Sequence, residues 1–151
     1  MKIIVSILLI VLSIVFCSCT ATVLKDTNGE DDYSLQTITD KDIIDGTNTT
    51  QFMAVSKTKD GERICSARKF SGVLPVYDAE INANKFSITL SSRITVGNAR
   101  LVLVYNDEIV HEFDVNSTDQ TADLEDVHGI VQLKIAGESA DYELKYSVNQ
   151  Y

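Results

Sequence analysis

The chain has 151 residues, with 13 Lys and Arg against 22 Asp and Glu, for a formal net charge of -9. That balance argues against a nucleic-acid partner, because gripping phosphates requires clustered Lys and Arg, and against polybasic docking on anionic lipid. The length suits one domain with extras, and frequent Thr, Ser, Val and Ile, with no Trp and a single Pro, suit strands.

The first element is a leader. Met1 and Lys2 carry the early charge, and residues 3–16 are all apolar or Ser. These 14 residues fall short of the ~20 needed to span a bilayer as a helix. A charged start, a short apolar run and a small residue before the break describe a secretory signal peptide. An uncleaved membrane anchor is the alternative. A buried core helix does not fit, since the run has no polar face.

The run ends in Phe16-Cys17-Ser18-Cys19, which resembles the lipobox of bacterial lipoproteins. In that family the modified Cys follows a small residue, as Cys19 follows Ser18, whereas Cys17 follows the bulky Phe16. Phe16 and Cys17 depart from the family's usual choices at the third and second places before the Cys. The resemblance implies a diacylglyceryl thioether on Cys19 and removal of residues 1–18. Two acyl chains anchor firmly where one holds only marginally, at about 0.8 kcal/mol per buried methylene. Other uses of the pair are weaker. C-x-C lacks the second Cys or His pair of a zinc site, and a Cys17–Cys19 disulfide would be strained. Cys65 then remains alone, best read as a small buried hydrophobe in a strand.

Residues 19–49 are polar and acidic, and read as a tether with one short ordered piece between Tyr33 and Ile44. A flexible chain of this length has a typical span of roughly 30 Å.

Residues 50–151 read as the folded domain. Asp60-Gly61 joins two extended runs, a hairpin signal. "KFSITLSS" puts Phe86, Ile88 and Leu90 on one face and Ser87, Thr89 and Ser91 on the other, as in a half-buried strand. "ARLVLVYN" is apolar on both faces, the pattern of a sandwiched strand. "EIVHEFDV" aligns Ile109, His111, Phe113 and Val115. "GIVQLKIAG" aligns Val131, Leu133 and Ile135 against Gln132 and Lys134. "DYELKYSV" turns Tyr142, Leu144, Tyr146 and Val148 inward. Turn signals fall at Asn106-Asp107, from Asn116 to Asp119, and at Gly137-Glu138-Ser139.

Short strands at regular turn spacing predict an all-β fold, an antiparallel β-sandwich of immunoglobulin-like or jelly-roll-like form. The runs from Ser66 through "KFSITLSS" and "GNARLVLVYNDEIVHEFD" to the closing "GIVQLKIAGESADYELKYSV" resemble small lipoproteins of Gram-positive bacteria with one β-sandwich. They are also similar to prepeptidase-type β-sandwiches that accompany secreted enzymes. The resemblance implies a fold and a location at the outer face of the cell membrane, and no active residues.

No motif marks chemistry. His111 opens "HEFDV", but H-E-x-x-H needs a second His on a helix, and Val115 stands there. No G-x-S-x-G elbow marks a nucleophile, although Ser, His and Asp distant in sequence can still form a triad. The nearest approach to a ligand motif is "DVNSTDQTADLE". There Asp114, Asn116, Thr118 and Glu125 take the first, third, fifth and twelfth places of a calcium loop, with Asp119 where the sharp-turn Gly belongs. An acidic, solvated connection between strands is the preferred reading. The expectation is therefore a non-catalytic lipoprotein, anchored to the membrane through Cys19, without cofactor or metal, whose loops or sheet edge bind a cell-surface protein or glycan. Tyr77 and Tyr105 are the aromatics to check for sugar stacking. The alternatives are a secreted hydrolase-associated or inhibitor domain and a calcium-dependent module.

Overall fold

The computed structural model describes residues 38–151. Every described residue belongs to one compact unit, residues 32–151. Cys19 and residues 19–37 of the expected tether lie outside the described residues.

The described chain begins with a short helix, α1 (Asp40–Asp45). Thr39 starts it through a capping box. Asp42 N–H donates to Thr39 Oγ1 at 3.2 Å, and Thr39 N–H donates to Asp42 Oδ2 at 2.9 Å. The helix is the short ordered piece expected before residue 44. It is part of the domain's packing, because Ile43 is fully buried against Val73, Val102, Val104 and Ala136. The apolar pair Ile43-Ile44 inside a polar stretch is the local reason.

Four strands follow: β1 (Thr49–Lys59), β2 (Glu62–Tyr105), β3 (Glu108–Phe113) and β4 (Gln120–Gln150). The protein is all-β, and every pairing is antiparallel. Two-residue turns with positive φ at both positions join β1 to β2 at Asp60-Gly61 and β2 to β3 at Asn106-Asp107, as their sequences predict.

Two strands are far longer than the sequence suggests. β2 has 44 residues and β4 has 31, where ordinary strands have about 3–10. They bend instead of turning. Gly137-Glu138-Ser139, expected as a turn between two hairpin strands, lies inside β4. Ser139 takes φ 49 and its N–H donates to Ser71 Oγ at 2.9 Å. This is a bulge, and it lines up with register shifts at Phe70–Gly72 on one neighbour and at Val96–Asn98 on the other. Bulges bend a strand and increase its twist, so this one, seen from both neighbours and flanked by further shifts at Ala67/Phe70 and Ile94/Val96, bends the sheet there.

As a result β2 and β4 pair twice. One ladder runs from Arg63↔Tyr146 to Leu90↔Gln120, the other from Phe86↔Gln150 to Tyr105↔Val131. Residues 86–90 therefore have β4 on both sides. The two-stranded ribbon coils over itself, and one sheet closes around its own core. That core holds Phe70, Phe86, Ile88, Leu101, Leu103, Leu133, Ile135, Leu144 and their neighbours.

The two-faced apolar run of β2 divides as its alternation requires. Leu101 and Leu103 enter the main core, while Val102 and Val104 enter a second cluster beneath α1. β3 departs from its expected alignment. Leu103 pairs with His111 but Val104 pairs with Ile109, leaving Val110 as an extra residue. Ile109 thus packs with the second cluster and Phe113 with the first. One added residue exchanges the faces of a strand. Val115 lies past the strand and is exposed.

Gly72 holds the junction between α1 and the sheet. Its φ is +110, and a Cβ there would stand 2.1 Å from the Asn48 carbonyl oxygen, the group that accepts from Val73 N–H at 3.0 Å. Gly72→Ala is expected to lower stability by about 1–3 kcal/mol. Urea unfolding checks this, and an unchanged midpoint would contradict the close approach.

Candidate interaction surface

The first half of β2, the second half of β4 and the second half of β2 are successive neighbours, with β1 on the outside. Register places Val55 opposite Ser66, Ser66 opposite Glu143, and Glu143 opposite Arg93. These four side chains form a row on the outer face, away from Cys65, Ala67, Tyr142 and Leu144, which face the core. Met53, Arg68, Thr95 and Asp141 extend the row into a shallow groove of about 370 Å³.

β1 has one hydrogen-bonded neighbour among the described residues, β2. Its ladder is irregular between Thr50 and Val55, and Met53 is held at φ 51. The kink pushes apolar side chains outward. Phe52, Met53 and Val55 are 60%, 61% and 52% exposed, and Val96, next to Thr95 in the groove, is 56% exposed. Natural sheet edges are blunted by irregularity and charge. β1 has both, with Lys57 and Lys59 after the kink.

Charge is distributed unevenly. Residues 49–69 carry five Lys and Arg against two Asp and Glu, while residues 70–151 carry five against thirteen. Three cations beyond residue 69 are held in ion pairs. Lys85 meets Asp123 at 3.2 Å, Lys145 meets Glu62 at 2.6 Å, and Arg100 holds Glu112 in a two-pronged contact at 2.8 Å while reaching Asp40 on α1 at 2.9 Å. The Arg100 guanidinium lowers the Glu112 pKa below the usual 4.5. Among the described residues Arg68 and Arg93 form no ion pair.

The residues weighed for chemistry are dispersed. His111 is exposed and stacks edge-on against Phe113 at 4.6 Å. His128 places Nδ1 2.6 Å from Asn82 Oδ1 and Nε2 3.1 Å from Asp126 Oδ1. Among the described residues neither ring is hydrogen-bonded to a hydroxyl or thiol. Cys65 is buried, as expected, with Sγ 3.6 Å from Ser56 Oγ.

The calcium-like spacing does not gather its oxygens. Asp114 Oδ2 accepts from Gln120 Nε2 at 2.8 Å, Asn116 Oδ1 accepts from Ile94 N–H at 2.7 Å, and Asp119 Oδ1 accepts from Ser91 Oγ at 3.0 Å. Glu125 is in β4 opposite Lys85. The loop thus spends Asn116 and Asp119 on fastening itself to β2 and Asp114 on closing itself through Gln120. No cluster of three or more His, Cys, Asp and Glu suited to a metal occurs among the described residues.

Tyr77 and Tyr105 are half-buried against the core, not presented as sugar platforms. Tyr77 packs on Phe86 at 6.0 Å and on Tyr146 at 6.3 Å, and Tyr105 Oη accepts from His128 N–H at 3.0 Å.

Sequence reasoning missed two features. One is the kink of β1, which leaves no motif. The other is Lys134, expected to face outward. It does lie on the face opposite Leu133 and Ile135, but α1 covers that face. Lys134 is 2% exposed, and its Nζ donates to the Ile43 carbonyl at 3.0 Å and to the Ile44 carbonyl.

The sequence matches no protein-family model and no curated protein. The surface must therefore be read from its own chemistry.

Proposed function

We propose that the protein is a membrane-anchored surface lipoprotein whose all-β domain serves as a non-catalytic binding module. The observation that carries the reading is the brief apolar leader ending at Ser18-Cys19, followed by an acidic stretch and a domain. The export signal ends at a sulfur suited to acylation, and residues 1–18 act as the signal peptide. Among the described residues neither His111 nor His128 is hydrogen-bonded to a hydroxyl or thiol that it could activate, which favours binding over hydrolysis. Among the described residues no helix is long and apolar enough to cross a membrane. The anchor in this reading is the lipid on Cys19, and the domain it holds at the surface is the module that would bind a cell-surface protein or glycan through its loops.

Intact mass measurement on the membrane fraction tests the anchor. The wild-type chain is expected to begin at Cys19 and to carry a diacylglyceryl group. The Cys19→Ala variant is expected to be unmodified and to retain its leader. A wild-type chain with a bare Cys19 thiol would overturn the reading.

A further inference from the structure

We propose that the kink of β1 and the basic hairpin beside it form a second contact with the membrane, on anionic lipid. The proposal takes the Cys19 anchor as its starting point and adds an orientation to it.

Three observations converge on the same edge. Three of the eight large hydrophobic side chains exposed among the described residues lie on the kink itself: Phe52, Met53 and Val55. Such side chains enter the boundary between headgroups and acyl chains. The same hairpin carries Lys57, Lys59, Arg63, Arg68 and Lys69 in a chain that is otherwise strongly acidic. The overall net charge conceals this local sign. Against an anionic surface the acidic remainder is repelled and the hairpin attracted, so the molecule has one favoured approach.

The third observation is position. Asn48 O accepts from Val73 N–H, and Thr49 pairs with Gly72, so β1 starts beside α1, where the described chain begins. Four residues of strand from Thr49 to Met53 cover about 13 Å. Nineteen Cα–Cα steps lead from Cys19 to Ile38, a covalent reach of at most ~65 Å. An anchored Cys19 therefore lets the kink touch the same bilayer.

The kink also favours lipid over a peptide strand. An added strand needs an unbroken row of edge N–H and C=O groups. Register is lost between Thr50 and Val55, where the apolar side chains are. A lipid surface requires no such row.

Two arms test the contact. In the first, the full lipid-modified chain is placed in vesicles of neutral phosphatidylcholine or of phosphatidylcholine mixed with phosphatidylglycerol. Hydrogen exchange then follows residues 50–58, with the region around the exposed Ile130 as control. Slower exchange at residues 50–58 only on the anionic vesicles is expected. Equal exchange on both would overturn the proposal, and so would slowing on whole cells with none on vesicles, which would indicate a protein partner. In the second arm, residues 32–151, the compact unit without the anchor, are sedimented with the same vesicles. Binding to anionic vesicles is expected, weakening with salt. It should fall about tenfold or more in Phe52→Ser/Met53→Ser and again in Lys57→Glu/Arg68→Glu, while Val110→Ser leaves it unchanged. All these side chains are exposed, so circular dichroism should match wild type. Failure of the second arm sinks the lipid contact even if Cys19 is acylated. A bare Cys19 sinks the anchor and leaves the second arm standing.

Discussion

Phe86→Ala is expected to lower the free energy of unfolding by about 3–5 kcal/mol. Phe86 is fully buried, and it lies where the two ladders overlap, opposite Leu124 on one side and Gln150 on the other. Its ring rests on Tyr77 at 6.0 Å. A cavity at an edge or under a loop closes partly by relaxation. Here the backbone is hydrogen-bonded on both sides, so relaxation is restricted and the upper part of the range applies. Domains have about 5–15 kcal/mol in all, and the variant should begin to unfold at low urea. With no Trp in the chain, tyrosine fluorescence reports the transition. Phe86→Leu, which keeps most of the volume, should cost about 1–1.5 kcal/mol and keeps the comparison measurable if the alanine variant fails to fold. A loss below about 1 kcal/mol in Phe86→Ala would mean that the two ladders do not confine this site.

Lys134→Met is expected to lower stability by about 1–3 kcal/mol, the cost of leaving buried carbonyl groups without a donor. Two effects compete. Removing a buried charge is favourable in itself, and Met fills a similar volume. Against this, the Ile43 and Ile44 carbonyls at the end of α1 lose their shared ammonium partner, and Ile43 is sealed from water. With only six residues in α1, the helix depends on its docking and not on its own cooperativity. The acceptors therefore decide the sign, and hydrogen exchange at Ile43 should quicken more than exchange in the core of β4. A variant more stable than wild type would refute the claim that Lys134 fastens the helix.

The pH dependence provides an independent check. Burial pushes the Lys134 pKa below its ordinary 10.5 in the folded protein, partly opposed by the charges of Asp78, Asp107 and Asp45. Below the folded value both states hold the proton, and the cost of burying the charge is fully present. Between the folded value and 10.5 the unfolded state holds more protons than the folded one, so stability rises with pH. The stability gap between wild type and Lys134→Met should therefore widen from neutral pH to about pH 10. Taking the difference between the two proteins cancels the other lysines, including Lys85 and Lys145, whose carboxylate partners raise their pKa.

How much of this was legible beforehand differs from element to element. The alternation at Phe86, Ile88 and Leu90, the doubly apolar Leu101–Val104 stretch, and the Asp60-Gly61 and Asn106-Asp107 turns could all be read directly. Each depends on a residue and its immediate neighbours: a period of two, a double-sided apolar run, a pair of residues tolerant of positive φ. The bulges could not be read. Gly137-Glu138-Ser139 suits a turn as well as a bulge, and Val110 suits a regular strand as well as a bulge. Which of these forms is decided by the partner strand, through Ser71 for the first and the slip between Leu103 and Val104 for the second.

By itself, then, the order of residues settled the antiparallel all-β class, the inward faces of most strands and the burial of Cys65, because alternation and turn chemistry are local. Only the tertiary structure made two long bent strands out of several short ones, folded Lys134 under a helix, spent the Asp114, Asn116 and Asp119 side chains on loop fastening, and gathered the exposed apolar side chains with the basic ones along β1. Those outcomes depend on which segments meet across the coiled sheet. That choice is made by pairing and burial over separations of tens of residues, where a local pattern carries no information.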